Sequence, residues 1–196
     1  MKSILSAALI AMCVSGAASA ATKKPAEKPW AQEPTSFMGV DFKSNVINDV
    51  PLCTETFSHL ERNLCYMGPP VSGLFWFQGT PVIGTTYNYD LAAQVTDGAI
   101  EYFYLKSKSE DFDALSRLFI TKYGAPSRRT KDKVKTKGGA EFVNDTLVWN
   151  GKTISITLEK YGRDINSSTA TLKNNALTAK SAAESEKKTY SDASKL

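Results

Sequence analysis

The chain holds a single histidine, His59, and three cysteines, which narrows the nucleophilic chemistry open to it. Serine and cysteine hydrolases need a general base beside the nucleophile. His59 lies six residues from Cys53 and six from Cys65, and those two cysteines are spaced to bond to each other. A cysteine held in a disulfide is no nucleophile. Three soft ligands do not close a structural zinc site, so neither a metal nor a cofactor is expected. The sequence contains no G-x-S-x-G, no H-E-x-x-H and no phosphate-cradling glycine loop. Glu110, Asp111 and Asp113 cluster as a carboxylate hydrolase would require, with its pair about 5–10 Å apart. They also fall at the start of a predicted helix, where the dipole favours acids. The reading is therefore non-catalytic, with a carboxylate-dependent hydrolase as the outlying alternative.

Two features fit binding instead. Arg128, Arg129, Lys131, Lys133, Lys135 and Lys137 place six positive charges within ten residues, interrupted by one acid, Asp132. As a loop or hairpin tip this run would carry a local positive field. It suits an anionic component of the cell envelope or an acidic protein face. Nucleic acid is the weakest match, because no aromatic residues interleave the charges for base stacking. The second feature is Leu74-Phe75-Trp76-Phe77, beside the Gly- and Pro-rich stretch 68–73. Four large apolar residues in a row cannot share one face of a strand. Trp76 and Phe77 are thus candidate anchors for a partner.

These residues need a scaffold, and the periodicity supplies one. Tyr87, Tyr89, Leu91, Ala93 and Val95 alternate with smaller and polar residues, the pattern of a half-buried strand. Asp97-Gly98 makes a tight turn, and residues 100–105 form the return strand. Ser109 is placed to cap a helix whose apolar stripe is Phe112, Leu115, Leu118, Phe119 and Tyr123. Gly124 and Pro126 end it. Residues 142–149 and 153–160 flank Asn150-Gly151 as a second hairpin, and 168–173 reads as a further strand. Nearer the start, residues 37–42 read as a strand, and 44–50 and 58–65 as short helices. Ser58 and Glu61 are spaced as a capping box. The expected fold is α+β: an antiparallel sheet of two hairpins plus additional strands, one main helix packed on a face, and short helices in the N-terminal part.

The ends of the chain read differently. A lysine, an apolar run over 4–14 and Ala18-x-Ala20 form the pattern of a secretory signal peptide cleaved after Ala20. The apolar run is too short to span a bilayer, which takes about 20 residues. Cys13 lies inside that run after Met12, which does not suit lipidation. Removing residues 1–20 lowers the net charge only from +4 to +3. An export signal followed by an even pair of cysteines argues for a Cys53–Cys65 disulfide and for a periplasmic or secreted location. Residues 21–36 read as a Pro/Lys-rich linker carrying Trp30, 37–172 as one domain, and 173–196 as a polar mobile tail.

Phe37-Met38-Gly39-Val40, the Asp-Gly hairpin, Lys122-Tyr123-Gly124-Ala125-Pro126, and Trp149 leading to Ile154-x-Ile156-x-Leu158 together resemble small secreted proteobacterial α+β proteins of unassigned function. The resemblance spans about 37–172. It implies the fold and the compartment, and brings no activity and no site residue. The expected function is an exported binding or inhibitor-like protein of the bacterial cell envelope. The alternative is an accessory subunit of envelope or secretion machinery, held there without a transmembrane anchor.

Overall fold

The computed structural model describes residues 30–54, 63–83 and 89–196. His59, the Ser58 and Glu61 read as a capping box, Tyr87 and the segment 1–20 read as an export signal lie outside the described residues.

The chain enters through a small hairpin, β1 (Ser36–Phe37) and β2 (Val40–Asp41). Met38 and Gly39 turn it with positive φ angles of 50° and 89°, the backbone that a two-residue hairpin turn demands. One turn of helix follows, α1 (Val46–Asp49). Then come β3 (Cys65–Val71), β4 (Leu74–Gln78), β5 (Asp90–Thr96) and β6 (Ala99–Lys108). After a short 3-10 turn, α2 (Phe112–Tyr123) leads to β7 (Arg128–Lys135), β8 (Glu141–Asn150), β9 (Ile154–Glu159) and β10 (Ser167–Asn174). α3 (Asn175–Ala193) ends the chain.

Strands β3 to β10 form one sheet in the order β3-β4-β5-β6-β10-β9-β8-β7. Every neighbouring pair in it is antiparallel. The architecture is thus α+β, as the periodicity leads one to expect. Asp97 and Gly98 turn β5 into β6 at φ 53° and 78°. The residues read as one strand over 37–42 instead fold back as β1 and β2, because Met38-Gly39 can adopt those turn angles.

Cross-strand register sorts the side chains into two faces. Phe77, Leu91, Leu105, Ala170, Leu158 and Leu147 stand in one row across six strands, and the row ends at Arg129. Phe75, Ala93, Phe103, Leu172, Ile156 and Trp149 make the next row on the same face. α2 lays Phe112, Leu115, Phe119 and Tyr123 on this face, all buried. Phe37, Phe42 and Val46 close the remaining side. Phe119 touches Phe37, Tyr123 and Trp149 with ring centroids 5.4–6.3 Å apart, within the range where aromatic pairs add to area burial.

Two indoles tie down the end of α2. Trp149 Nε1 donates to the Gly124 carbonyl and Trp30 Nε1 to the Tyr123 carbonyl, both at 2.8 Å. These bonds satisfy carbonyls that a helix end leaves open. Ser109, read as a helix cap, instead donates its hydroxyl to the Ile165 carbonyl at 2.8 Å. Glu33 accepts from the backbone N–H groups of Lys152, Thr153 and Ile154, so residues 30–33 are pinned at both ends.

The opposite face of the sheet is more polar. Its central row runs Met67, Trp76, Ala92, Tyr104, Thr171, Thr157, Val148 and Arg128. α3 meets the sheet only through its first two turns. Ser181 donates to Glu101 at 2.9 Å, Lys180 pairs with Asp97, and Asn175 donates to the Gly151 carbonyl. From residue 182 onward every side chain is exposed, Tyr190 and Leu196 among them, on a stretch otherwise made of small, polar and charged residues. Among the described residues, no helix is long and apolar enough to cross a membrane.

Candidate functional site: the basic edge hairpin

The run of cations is a strand. Arg128 to Lys135 pair residue for residue with Val148 to Glu141, and the outer side of β7 has no neighbouring strand among the described residues. The residues themselves are poor strand formers apart from Thr130 and Val134. Pairing with β8, whose Leu147 and Trp149 are anchored in the core, imposes the extended backbone on them.

The strand divides its charges by parity. Arg129, Lys131, Lys133 and Lys135 oppose Leu147, Asp145, Val143 and Glu141, on the α2 face. Arg128 opposes Val148 on the other face. Alternate residues of a strand lie about 6.8 Å apart, so the α2 face of β7 carries a regular rank of four cations. Lys137 lies beyond the strand, in the hairpin turn.

The rank is partly compensated. Asp145 is buried, and it accepts from Arg129 Nε at 2.9 Å and Nη2 at 2.6 Å, the bidentate fork of a strong pair. Those bonds hold the Asp145 carboxyl below the usual carboxylate range, against burial that pushes the other way. Glu141 meets Lys135 at 2.8 Å and Lys133 at 3.2 Å, and its carboxyl is lowered chiefly by Lys135 and then by Lys133. Six cations against Asp132, Glu141 and Asp145 leave the hairpin at +3. Lys131 has no carboxylate within ion-pair distance among the described residues. It lines a cleft of about 250 Å³ with Arg129, Lys160, Asp113 and Asp145. Lys160 comes from the end of β9, and sequence spacing gave no sign that it would join this group.

The other anchor candidates lie elsewhere. β4 stands six strand spacings from β7, roughly 29 Å at about 4.8 Å each. Phe77 points into the core and is 6% exposed, whereas Trp76 faces the other way and is 36% exposed. The carboxylate cluster also disperses. Glu110 pairs with Lys108 at 3.2 Å, while Asp113 faces the Arg129 cleft. No group of three His, Cys, Asp or Glu side chains arranged to hold a metal occurs among the described residues. The Cys53–Cys65 disulfide is formed.

No protein-family model matches the chain, and no curated protein or solved structure matches it either. Function has to be argued from the site alone.

Proposed function

We propose that this chain is an exported, non-catalytic binding protein of the bacterial cell envelope, and that it contacts an anionic partner through the β7–β8 hairpin. One observation carries the reading. Register puts Arg129, Lys131, Lys133 and Lys135 on one face of an exposed edge strand at regular spacing. A ladder of this kind meets an extended polyanion, or an acidic protein edge, at several points together. Lys131 and Lys133 are exposed and carry the interaction. Arg129, locked to Asp145, fixes the strand that presents them. Electrostatic complementarity of this sort governs encounter and specificity more than raw affinity. Export and residence in the envelope rest on the segment 1–20 and on the disulfide, which persists in oxidising compartments.

The test compares two variants with equal loss of charge. K131Q/K133Q removes two cations from β7, and K187Q/K188Q removes two from the exposed end of α3. Binding of each purified protein to vesicles of phosphatidylcholine with phosphatidylglycerol is measured across a salt series. The reading expects K131Q/K133Q to lose at least tenfold in affinity and to show a shallower salt dependence, with K187Q/K188Q close to wild type. Equal loss in both variants would reduce the effect to net charge and end the proposal.

A further inference from the structure

The outer edge of β7 is a row of backbone groups as well as a row of charges. Two bonds fix which residues point outward. Thr136 N–H donates to the Ala140 carbonyl at 2.9 Å, and Lys160 N–H to the Asp145 carbonyl at 3.0 Å. The first makes 136 and 140 a hydrogen-bonded pair of the hairpin. The second turns the backbone of Asp145 toward β9, away from Lys131 opposite it on β7. Hydrogen-bonded and open pairs alternate along an antiparallel ladder, and both bonds give the same phase. Thr130, Asp132 and Val134 direct their N–H and C=O groups to β8. Arg129, Lys131, Lys133 and Lys135 turn theirs to the open edge, where no strand lies among the described residues.

These are the same residues whose side chains form the cationic rank on the α2 face. A strand added beside β7 sets its own residues directly opposite them, in pairs that exchange two backbone bonds and hold their side chains about 5 Å apart on one face. The backbone of β7 is suited to such an addition. It holds no proline or glycine, and it pairs with β8 through eight residues without a register shift. At the other edge of the sheet, β3 carries two prolines and a shift. Prolines, bulges and lysines are the usual devices that blunt an edge. At β7 the device is charge, and charge discriminates by sign: a basic strand is repelled and an acidic one attracted.

We propose that β7 takes up an acidic, extended segment of a partner protein as a further antiparallel strand of the sheet. The pattern of that segment follows from the rank. Alternate residues are Asp or Glu and face Arg129, Lys131, Lys133 and Lys135. The residues between them lie beside Thr130 and Val134, both half-buried, and are β-branched, which suits a pleated surface. Main-chain bonds give such an addition its affinity, and the alternating side chains give it specificity. Lys131 stands inside the rank with no carboxylate within ion-pair distance among the described residues, so it gains most from an acid opposite. The inference rests on the anion-binding reading of this hairpin and narrows its partner to a protein strand.

The test is binding of the purified protein to a short synthetic peptide in which Glu alternates with Thr and Val, read by affinity and by residue-resolved amide exchange. A block isomer of the same composition gathers its Glu residues at one end. Two further copies are N-methylated. One carries the methyl groups on the central Glu residues, whose N–H groups face β7 in the added strand. The other carries them on the Thr and Val between, whose N–H groups face solvent. The alternating peptide is expected to bind about tenfold tighter than the block isomer, and at saturation to slow amide exchange at Arg129, Lys131, Lys133 and Lys135 about tenfold or more. Exchange at Thr130, Asp132 and Val134, already bonded to β8, should change little. Methylation at Glu should weaken binding about tenfold, and methylation at Thr and Val less than about twofold. Equal binding of the alternating and block peptides, equal loss from the two methylations, or unchanged exchange at the outward amides would overturn strand addition. Retained salt-sensitive vesicle binding through Lys131 and Lys133 would then show that the hairpin binds anions by charge alone and that the broader reading survives. Loss of the peptide and the vesicles together would end both.

Discussion

The sheet has two ends, and they are finished by different chemistry. At the β3 end the strand carries Pro69 and Pro70, which have no N–H to offer a neighbour. The start of β3 is also covered. Leu52 bridges to Tyr66, Cys53 N–H donates to the Tyr66 carbonyl, and the disulfide fastens Cys53 to Cys65 with Cα atoms 5.0 Å apart. At the β7 end no strand, proline or disulfide covers the edge among the described residues. Charge alone stands there. Lysines on an edge strand keep copies of a chain from pairing, and the same lysines attract an anion. One end is closed by covalent and steric means, and the other is finished by charge.

Breaking the covalent end should have the largest effect on stability. The disulfide spans a sequence separation of 12, which in the chain-entropy model is worth about 3 kcal/mol. Urea unfolding of C53S/C65S should show a loss of that order, with binding of anionic vesicles unchanged once the protein is folded. A loss of binding in the folded variant would mean that the two ends are coupled.

A smaller effect should follow from breaking the pair that fixes the basic end. In D145N the neutral amide cannot replace the charged bonds to Arg129. With the Arg129 side chain 44% exposed and screened by solvent, the loss should be about 1–2 kcal/mol. The pH dependence has a definite sign. Asp145 titrates lower in the folded protein than in the unfolded chain. Its contribution is therefore full above the ordinary aspartate pKa of about 4 and is lost as pH falls through the folded value. Amide exchange in β7 and β8 should accelerate over that acid range in wild type but not in D145N. An unchanged acid profile in the variant would assign the effect to other carboxylates.

The smallest change in stability, within about 0.5 kcal/mol, is expected for K131Q/K133Q, because both side chains are exposed. If charge is what guards this edge, sedimentation should show K131Q/K133Q associating with rising concentration while wild type stays unassociated. A variant as unassociated as wild type would show that the edge is protected by something besides these lysines.

The same contrast explains how much could be read from sequence. The centre of the sheet was legible because each strand there carries its own pattern. Leu91, Ala93 and Val95, or Ile154, Ile156 and Leu158, alternate by themselves, and Asp97-Gly98 and Asn150-Gly151 mark the turns. The stripe on α2 was equally plain. Both edges were misleading. Residues 68–73 stood out only as a Gly- and Pro-rich stretch, and 128–137 as a loop or hairpin tip because of their charge, yet each is largely strand. β3 and β7 borrow their conformation from β4 and β8, and that debt is invisible in a local window. The candidate site was legible as a set of cations. Its division into two faces follows from register, and the arrival of Lys160 follows from where β9 ends. Neither has a local signal.

The most direct test of the account is residue-resolved chemical-shift mapping of the wild-type protein with a polyanion such as long-chain polyphosphate. The account predicts shifts concentrated on β7 and β8, led by Lys131 and Lys133, that fade as salt rises, with the exposed lysines near the end of α3 little affected. Shifts spread over all exposed lysines in proportion to their exposure would contradict it.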